Sequence, residues 1–197
     1  EGAHNVITKE FVSRLPKTDL HLHLDGSIRL GTLIELAEQY GVELPATTES
    51  GLREKVFKEH YNSLADYLHG FKYTGQVLQS ELALSRVSYE LARDCQAEGN
   101  RYIEVRFAPQ LHMHRHLSGE NVLKAVNDGL DQAKREFNDQ PAVRSGEEPS
   151  FEYGIIVCAM RMFQPGFSEY FSDLWRVHSH SAPNHVYAEA SLELART

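Results

Sequence analysis

Three short strand signals, each followed by helical stripes, constrain this chain more than any other feature of its sequence. From residue 18 to 24 apolar and polar residues alternate: Leu20, Leu22 and Leu24 fall to one side, Asp19, His21 and His23 to the other, and Asp25 continues the polar side. A period of two marks a strand, and Asp25-Gly26 ends it. Residues 102–107, closed by Pro109, read as a second strand. The nearly continuous apolar run 153–160 reads as a third, buried on both faces. Between the strands, apolar residues recur at helical spacing: Leu30, Leu33, Ile34, Ala37 and Tyr40, stopped by Gly41; Val77, Leu78, Leu82, Val87, Leu91 and Cys95, ending at Gly99; and Val122, Val126, Leu130, Ala133 and Phe137. A short helix capped by Thr8 and closed by Pro16 precedes them, and residues 186–195 form another after the aromatic segment 167–175.

Strands alternating with helices imply a parallel sheet with right-handed crossovers, so the class is α/β. The pattern alone leaves a closed barrel and an open sheet both possible. A closed barrel needs eight strands, and the chain ends at Arg196-Thr197 inside a helical pattern. We therefore expect residues 1–197 to be the front part of something longer.

Charge and composition narrow the partners. With 20 Lys+Arg against 28 Asp+Glu, the formal charge of -8 argues against a nucleic-acid polymer. No apolar stretch reaches the roughly 18 residues of a membrane span, and the first residues lack a signal peptide's apolar run, so no membrane and a cytoplasmic location are expected. Cys95 and Cys158 fall in a predicted helix and strand and read as reduced core thiols without chemistry.

The eleven histidines matter by where they cluster. His21 and His23 leave the same face of a strand about 6 to 7 Å apart at Cα. Rings of that reach can converge on one ion with Zn–N bonds of about 2.0 to 2.1 Å. They also stand at the C-terminal end of the first strand, where α/β barrels keep their active sites. A catalytic zinc usually takes three protein ligands. His112, His114 and His116, after the second strand, and His178 and His180, in the aromatic segment, are the candidates within the chain, although their loop setting reads better as solvated or incidental histidines. No HExxH, phosphate loop, GxSxG or zinc-binding CxxC pair is present.

Residues 15–27, Leu-Pro-Lys-Thr-Asp-Leu-His-Leu-His-Leu-Asp-Gly-Ser, resemble the opening motif of the adenosine deaminase family. Ile103-Glu104-Val105-Arg106-Phe107-Ala108-Pro109 is similar to that family's second-strand motif and Cys158-Ala159-Met160-Arg161 to its third-strand end. The likeness runs from about residue 8 to 163 and weakens beyond. It implies a TIM (β/α)8 barrel of which residues 1–197 supply the N-terminal part, about the first three βα units, with the C-terminal part absent from this chain. It also implies one Zn2+ and the hydrolysis of adenosine to inosine and ammonia.

On matching positions, the resemblance makes His21 and His23 zinc ligands, with His23 also lining the substrate site. Asp25 would accept a hydrogen bond from the ribose 5′-hydroxyl; enzymes acting on free adenine tend to carry Glu there, so Asp favours a nucleoside. Leu64, Tyr67 and Phe71 fall where the family has an apolar helix over the purine, with plain core packing as the alternative. Glu104, Arg106 and Arg161 would support the site through ion pairs. The chemistry implied is attack of zinc-activated water on C6 of the purine, with a general acid protonating the ring nitrogen and the leaving amine. The family's groups for that proton transfer, and its remaining zinc ligands, find no match in this chain. No catalytic residue is therefore assigned to it, the chain alone is expected to be inactive, and its partners are a small purine nucleoside and the missing half of the barrel. The alternatives are a metal-dependent phosphoesterase of the polymerase-and-histidinol-phosphatase type, whose barrels also open with His-x-His, and a non-catalytic nucleoside-binding relative.

Overall fold

The computed structural model describes residues 7–178 and 183–197. In chain order the elements are α1 (Lys9–Arg14), β1 (Lys17–His23), α2 (Leu30–Tyr40), α3 (Glu49–Lys55), α4 (Leu64–Leu68), α5 (Phe71–Val77), α6 (Glu81–Ala97) and β2 (Asn100–Phe107). They continue with α7 (Gly119–Asn138), α8 (Pro141–Arg144), β3 (Glu152–Val157), α9 (Glu169–Val177) and α10 (Pro183–Leu194), with single 3-10 turns at Pro109–Leu111 and Pro165–Phe167. Local chemistry sets many of the boundaries. The hydroxyls of Thr8, Ser80, Ser118 and Ser168 accept the backbone N–H three residues on and so cap α1, α6, α7 and α9. Gly41, at φ 68°, ends α2 in the left-handed conformation that glycine takes without strain.

The strands form one parallel sheet in the order β1-β2-β3, so each crossover is a βα unit. Ile103, Val105 and Phe107 leave one face of β2 and are buried against Leu84, Val87 and Leu91 of α6 and Val122, Val126 and Leu130 of α7. Burial of each such side chain is worth about 1.5 to 3 kcal/mol, which makes the α6–α7 layer the main support of the sheet. The opposite face of β2 carries Tyr102, Glu104 and Arg106, all half-buried. Among the described residues β1 and β3 each pair on one side only, so the sheet is open. No helix among them is long and apolar enough to cross a membrane.

Four expectations change. The alternation of β1 is interrupted: Asp19 lies opposite Ile103 and Leu22 opposite Val105, three steps on one strand against two on the other. This bulge takes Leu20 off the core, 53% exposed, and turns Asp19 toward the helix side. β3 is not buried on both faces but half-buried or more exposed throughout, because it has one neighbour and an uncovered inner face, and it stops at Val157. The helical stripe from Val77 to Cys95 is two helices, α5 and α6, broken at Leu78-Gln79, where Leu78 takes φ -87°, ψ 49° and Ser80 starts a new cap. Cys158 lies just past β3, half-buried, rather than in the core, while Cys95 is buried as expected; both are free thiols.

Helix α7 approaches α6 through Gly129, where an added Cβ would stand 2.1 Å from the Ser85 carbonyl oxygen. Gly129→Ala gains about 1 kcal/mol of helix propensity, but relieving backbone overlap costs typically 1 to 3 kcal/mol or more. We predict a lower urea midpoint for this variant. An unchanged or raised midpoint would mean that the helices are not packed this closely.

Candidate active site

The site grows from the bulge in β1. Asp19 Oδ1 accepts the His21 N–H at 3.0 Å, and the Arg106 guanidinium donates from Nη2 to the Leu20 carbonyl at 2.7 Å. These two bonds hold the extra residue in place from the β1 side and from β2. Beyond it His23 lies opposite Arg106, on the inner face, and Leu24 N–H bonds to the Arg106 carbonyl at 3.1 Å. The imidazoles of His21 and His23 come together with ring centroids 5.3 Å apart, tilted by 42°. Both residues are exposed.

The turn after β1 is tied back by Ser27, whose hydroxyl donates to the His23 carbonyl at 2.5 Å. That brings Asp25 beside His23, with Oδ1 4.0 Å from Nδ1. Asp25 Oδ1 is buried and has no hydrogen-bond partner among the described residues. Burial pushes this carboxyl above its ordinary range, against the pull of the His23 imidazole and of its own and Gly26's backbone N–H. A buried carboxylate oxygen without a donor is costly, and a ligand hydroxyl aimed at it would remove that cost.

Phe71 covers the same turn: an added Cβ on Gly26 would lie 3.3 Å from the Phe71 ring. From there a chain of edge-on rings runs outward, Phe71 to Tyr67 at 5.5 Å and Tyr67 to Tyr61 at 5.1 Å. Leu64 is 71% exposed and Tyr67 44%. These two residues therefore do not belong to the core, while Phe71 is half-buried against the site. Tyr61 lies before α4, outside any helical stripe, and joins this line of rings through its contact with Tyr67.

The residues expected to make ion pairs do something else. Among the described residues Glu104 accepts from the Tyr102 hydroxyl at 3.2 Å, Arg106 binds the Leu20 carbonyl and keeps a buried Nε without a partner, and no ion pair joins either of them or the exposed Arg161. Glu104 and Arg106 both stand half-buried on the inner face of β2, where among the described residues no ion pair meets them. Cys158 is a residue that sequence reasoning misplaced. Glu104 pairs with Gly154 and Arg106 with Ile156, so strand parity puts Cys158 on the inner face. Burial raises its thiol pKa, Arg106 lowers it and Asp25 raises it, which places it among the site's charges.

The other histidines do not join His21 and His23. His112 is fully buried, and its Nδ1–H donates to the Leu78 carbonyl at 2.9 Å. His114 uses both ring nitrogens, Nε2–H toward the Gln79 carbonyl at 3.1 Å and Nδ1 accepting from the His116 N–H at 3.2 Å. Together they pin the α5–α6 junction to the loop after β2. His116 is exposed, His178 caps the end of α9 with its N–H on the Leu174 carbonyl, and His180 lies outside the described residues. Among the described residues no group of three or more His, Cys, Asp or Glu could hold a metal ion.

The pair itself nevertheless suits one. Two imidazoles bound to a single tetrahedral zinc at about 2.0 to 2.1 Å have ring centroids about 5 Å apart, close to the 5.3 Å found here. His21 and His23 thus fit as two ligands of an incomplete set.

Residues 16–182 match the family model described as adenosine deaminase. A probable adenosine deaminase from Dictyostelium discoideum is 40% identical over 172 residues, 86% of this chain and 21% of that protein. The adenosine deaminase of Vibrio atlanticus is 40% identical over 124 residues, 63% of this chain and 37% of that one. The chain thus spans about a fifth to two fifths of the length of these curated relatives. Among solved structures, an amidohydrolase from Burkholderia ambifaria with bound Zn superposes at a TM-score of 0.63 and 20% identity, over 88% of this chain and 44% of that one. The Arabidopsis N6-mAMP deaminase superposes at 0.59 and 23%, over 86% and 47%. At those identities the likeness is one of fold: the three βα units are part of a (β/α)8 barrel.

Burial holds the His112 imidazole neutral, its pKa pushed down from 6.5 to about 4 against the Leu78 hydrogen bond. Its contribution to stability is complete above about pH 6.5 and is lost as the pH falls toward 4, because the unfolded chain takes up the proton first. From pH 7 to 5 this amounts to about 2 kcal/mol at most. His112→Gln, which keeps a donor for Leu78 and cannot titrate, should flatten that part of the pH–stability curve. Equal slopes in the two proteins would contradict the assignment.

Proposed function

This chain belongs to the adenosine deaminase family, and we propose that the protein carrying it converts adenosine, or a close 6-aminopurine nucleoside, to inosine and ammonia by zinc-dependent hydrolysis in the cytoplasm. The observation that carries this reading is the pairing of two exposed imidazoles at the end of β1 with a buried, unpartnered carboxylate oxygen two residues on. His21 and His23 would be two of the zinc ligands. Zinc supplies activation of water at neutral pH.

The remaining work is shared among neighbouring side chains. Asp25 accepts the ribose 5′-hydroxyl, which gives its buried oxygen the missing donor. Its negative charge also disfavours a 5′-phosphate in the same place. Leu64, Tyr67 and Phe71 cover the purine and exclude water, which accounts for apolar groups left outside the core. Arg106 positions the bulge from which His21 departs, Glu104 shares its face of β2, and Arg161, past the end of β3, is assigned to support the site. Proton transfer to the ring nitrogen and the amine is assigned to no residue of this chain. Residues 1–197 are accordingly the N-terminal part of one deaminase barrel whose C-terminal part completes the site.

In the full-length protein, His21→Ala or His23→Ala should lower zinc content and reduce turnover by at least about a thousandfold, and a chelator followed by zinc should abolish and restore activity. Asp25→Ala should cost about ten- to a hundredfold in kcat/KM for adenosine, the worth of a hydrogen bond to a charged group. A polypeptide of residues 1–197 should turn over no adenosine. Zinc bound without turnover in the full-length wild type would favour a non-catalytic nucleoside-binding relative. Several metals per chain with phosphoester cleavage would favour the phosphoesterase.

A further inference from the structure

The last helix meets the site at one point. Tyr187 of α10 is 2% exposed, and its hydroxyl accepts the Met160 N–H at 2.8 Å while lying 3.3 Å from the Cys158 carbonyl, to which it donates. One side chain thus grips the backbone on both sides of Ala159, immediately after β3. Cys158 is tied on the other side to the end of β2, its N–H bonding the Phe107 carbonyl at 2.9 Å. The gripping ring is itself fixed: Phe163 and Phe171 pack on it with centroids 4.6 and 5.2 Å away. A line of polar contacts then runs from α10 to the loop after β2. Ser191 donates to the Tyr187 carbonyl at 2.9 Å and accepts from Gln110 Nε2 at 3.0 Å, and Ser168 donates to the Gln110 carbonyl at 2.6 Å.

A ring that only filled the aromatic cluster would need no hydroxyl. Here the hydroxyl uses its donor and an acceptor site together on the end of β3, whose Ile156 lies opposite Arg106 and which is followed by Cys158, itself bonded to Phe107. We propose that Tyr187 is a positioning residue whose hydroxyl clamps Cys158 and Met160 and so sets the β3 wall of the nucleoside site. The effect on substrate rests on the deaminase reading, whereas the clamp can be read without it.

The test uses the full-length protein with two variants. Tyr187→Phe removes only the hydroxyl; Phe167→Ala removes a part-exposed ring that stands edge-on to Phe171, centroids 6.4 Å apart, and among the described residues makes no bond to the strand end. In Tyr187→Phe the Met160 amide should exchange with deuterium roughly two- to tenfold faster, and KM for adenosine should rise by a similar factor with kcat changed less than about twofold. Phe167→Ala should lower the melting temperature and leave both the Met160 exchange and KM unchanged. Unchanged Met160 exchange in Tyr187→Phe, or an equal KM rise in the two variants, would overturn the proposal; so would faster exchange with an unchanged KM. If the wild type deaminates no 6-aminopurine nucleoside, the deaminase reading alone falls, and the Met160 exchange still decides for or against the clamp.

Discussion

The rest of the site depends on how β1 is held against β2 at its bulge. A parallel strand without that irregularity would continue the register of Asp19 and Ile103 and put Leu22 and His23 on the wrong faces. Two hydrogen bonds prevent this, one within β1 from the His21 N–H to Asp19, the other from Arg106 to the Leu20 carbonyl. The bulge gives Leu22 and Leu24 to the core and leaves His21 and His23 facing one another. Bulges next to active sites commonly re-aim a side chain in this way.

Around that point the fold separates support from chemistry. One face of β2 is anchored by α6 and α7, which contact one another closely through Gly129 and bury Leu84, Val87 and Leu91 with Val122, Val126 and Leu130 in the core that covers it. The other face carries polar residues whose partners are hydroxyls and backbone carbonyls rather than counter-charges. The aromatic arm of α4 and α5 reaches over the turn after β1, and its base is fixed by His112 and His114 to the loop after β2. Two histidines that resemble ligands in the sequence therefore act as hydrogen-bonded pins, and their ring nitrogens explain why.

Much of this could be read directly from spacing. The three strands, the main helices α2 and α7 and the position of His21, His23 and Asp25 at a strand end follow from periods of two and about 3.6 and from turn residues. What spacing could not reveal depends on a second strand or on tertiary contact. The bulge exists only in the register of β1 against β2, so the alternation in the sequence led Leu20 into the core, where it does not lie. Cys158 read as core because an apolar run hides which neighbour is missing. Ser80 caps α6, but the apolar stripe from Val77 to Cys95 runs through it and hides the break. Tyr187 carries no local signal; it joins the site region through bonds to Cys158 and Met160, nearly thirty positions away, while Tyr61 joins it through the ring of Tyr67.

The central claim is that His21 and His23 share one zinc ion, and the most direct test is anomalous diffraction at the zinc edge from crystals of the full-length protein. The account predicts one strong anomalous peak within about 2.1 Å of a ring nitrogen of each histidine, with Asp25 beside it. A peak elsewhere, or none while both imidazoles are hydrogen-bonded to protein groups, would contradict it.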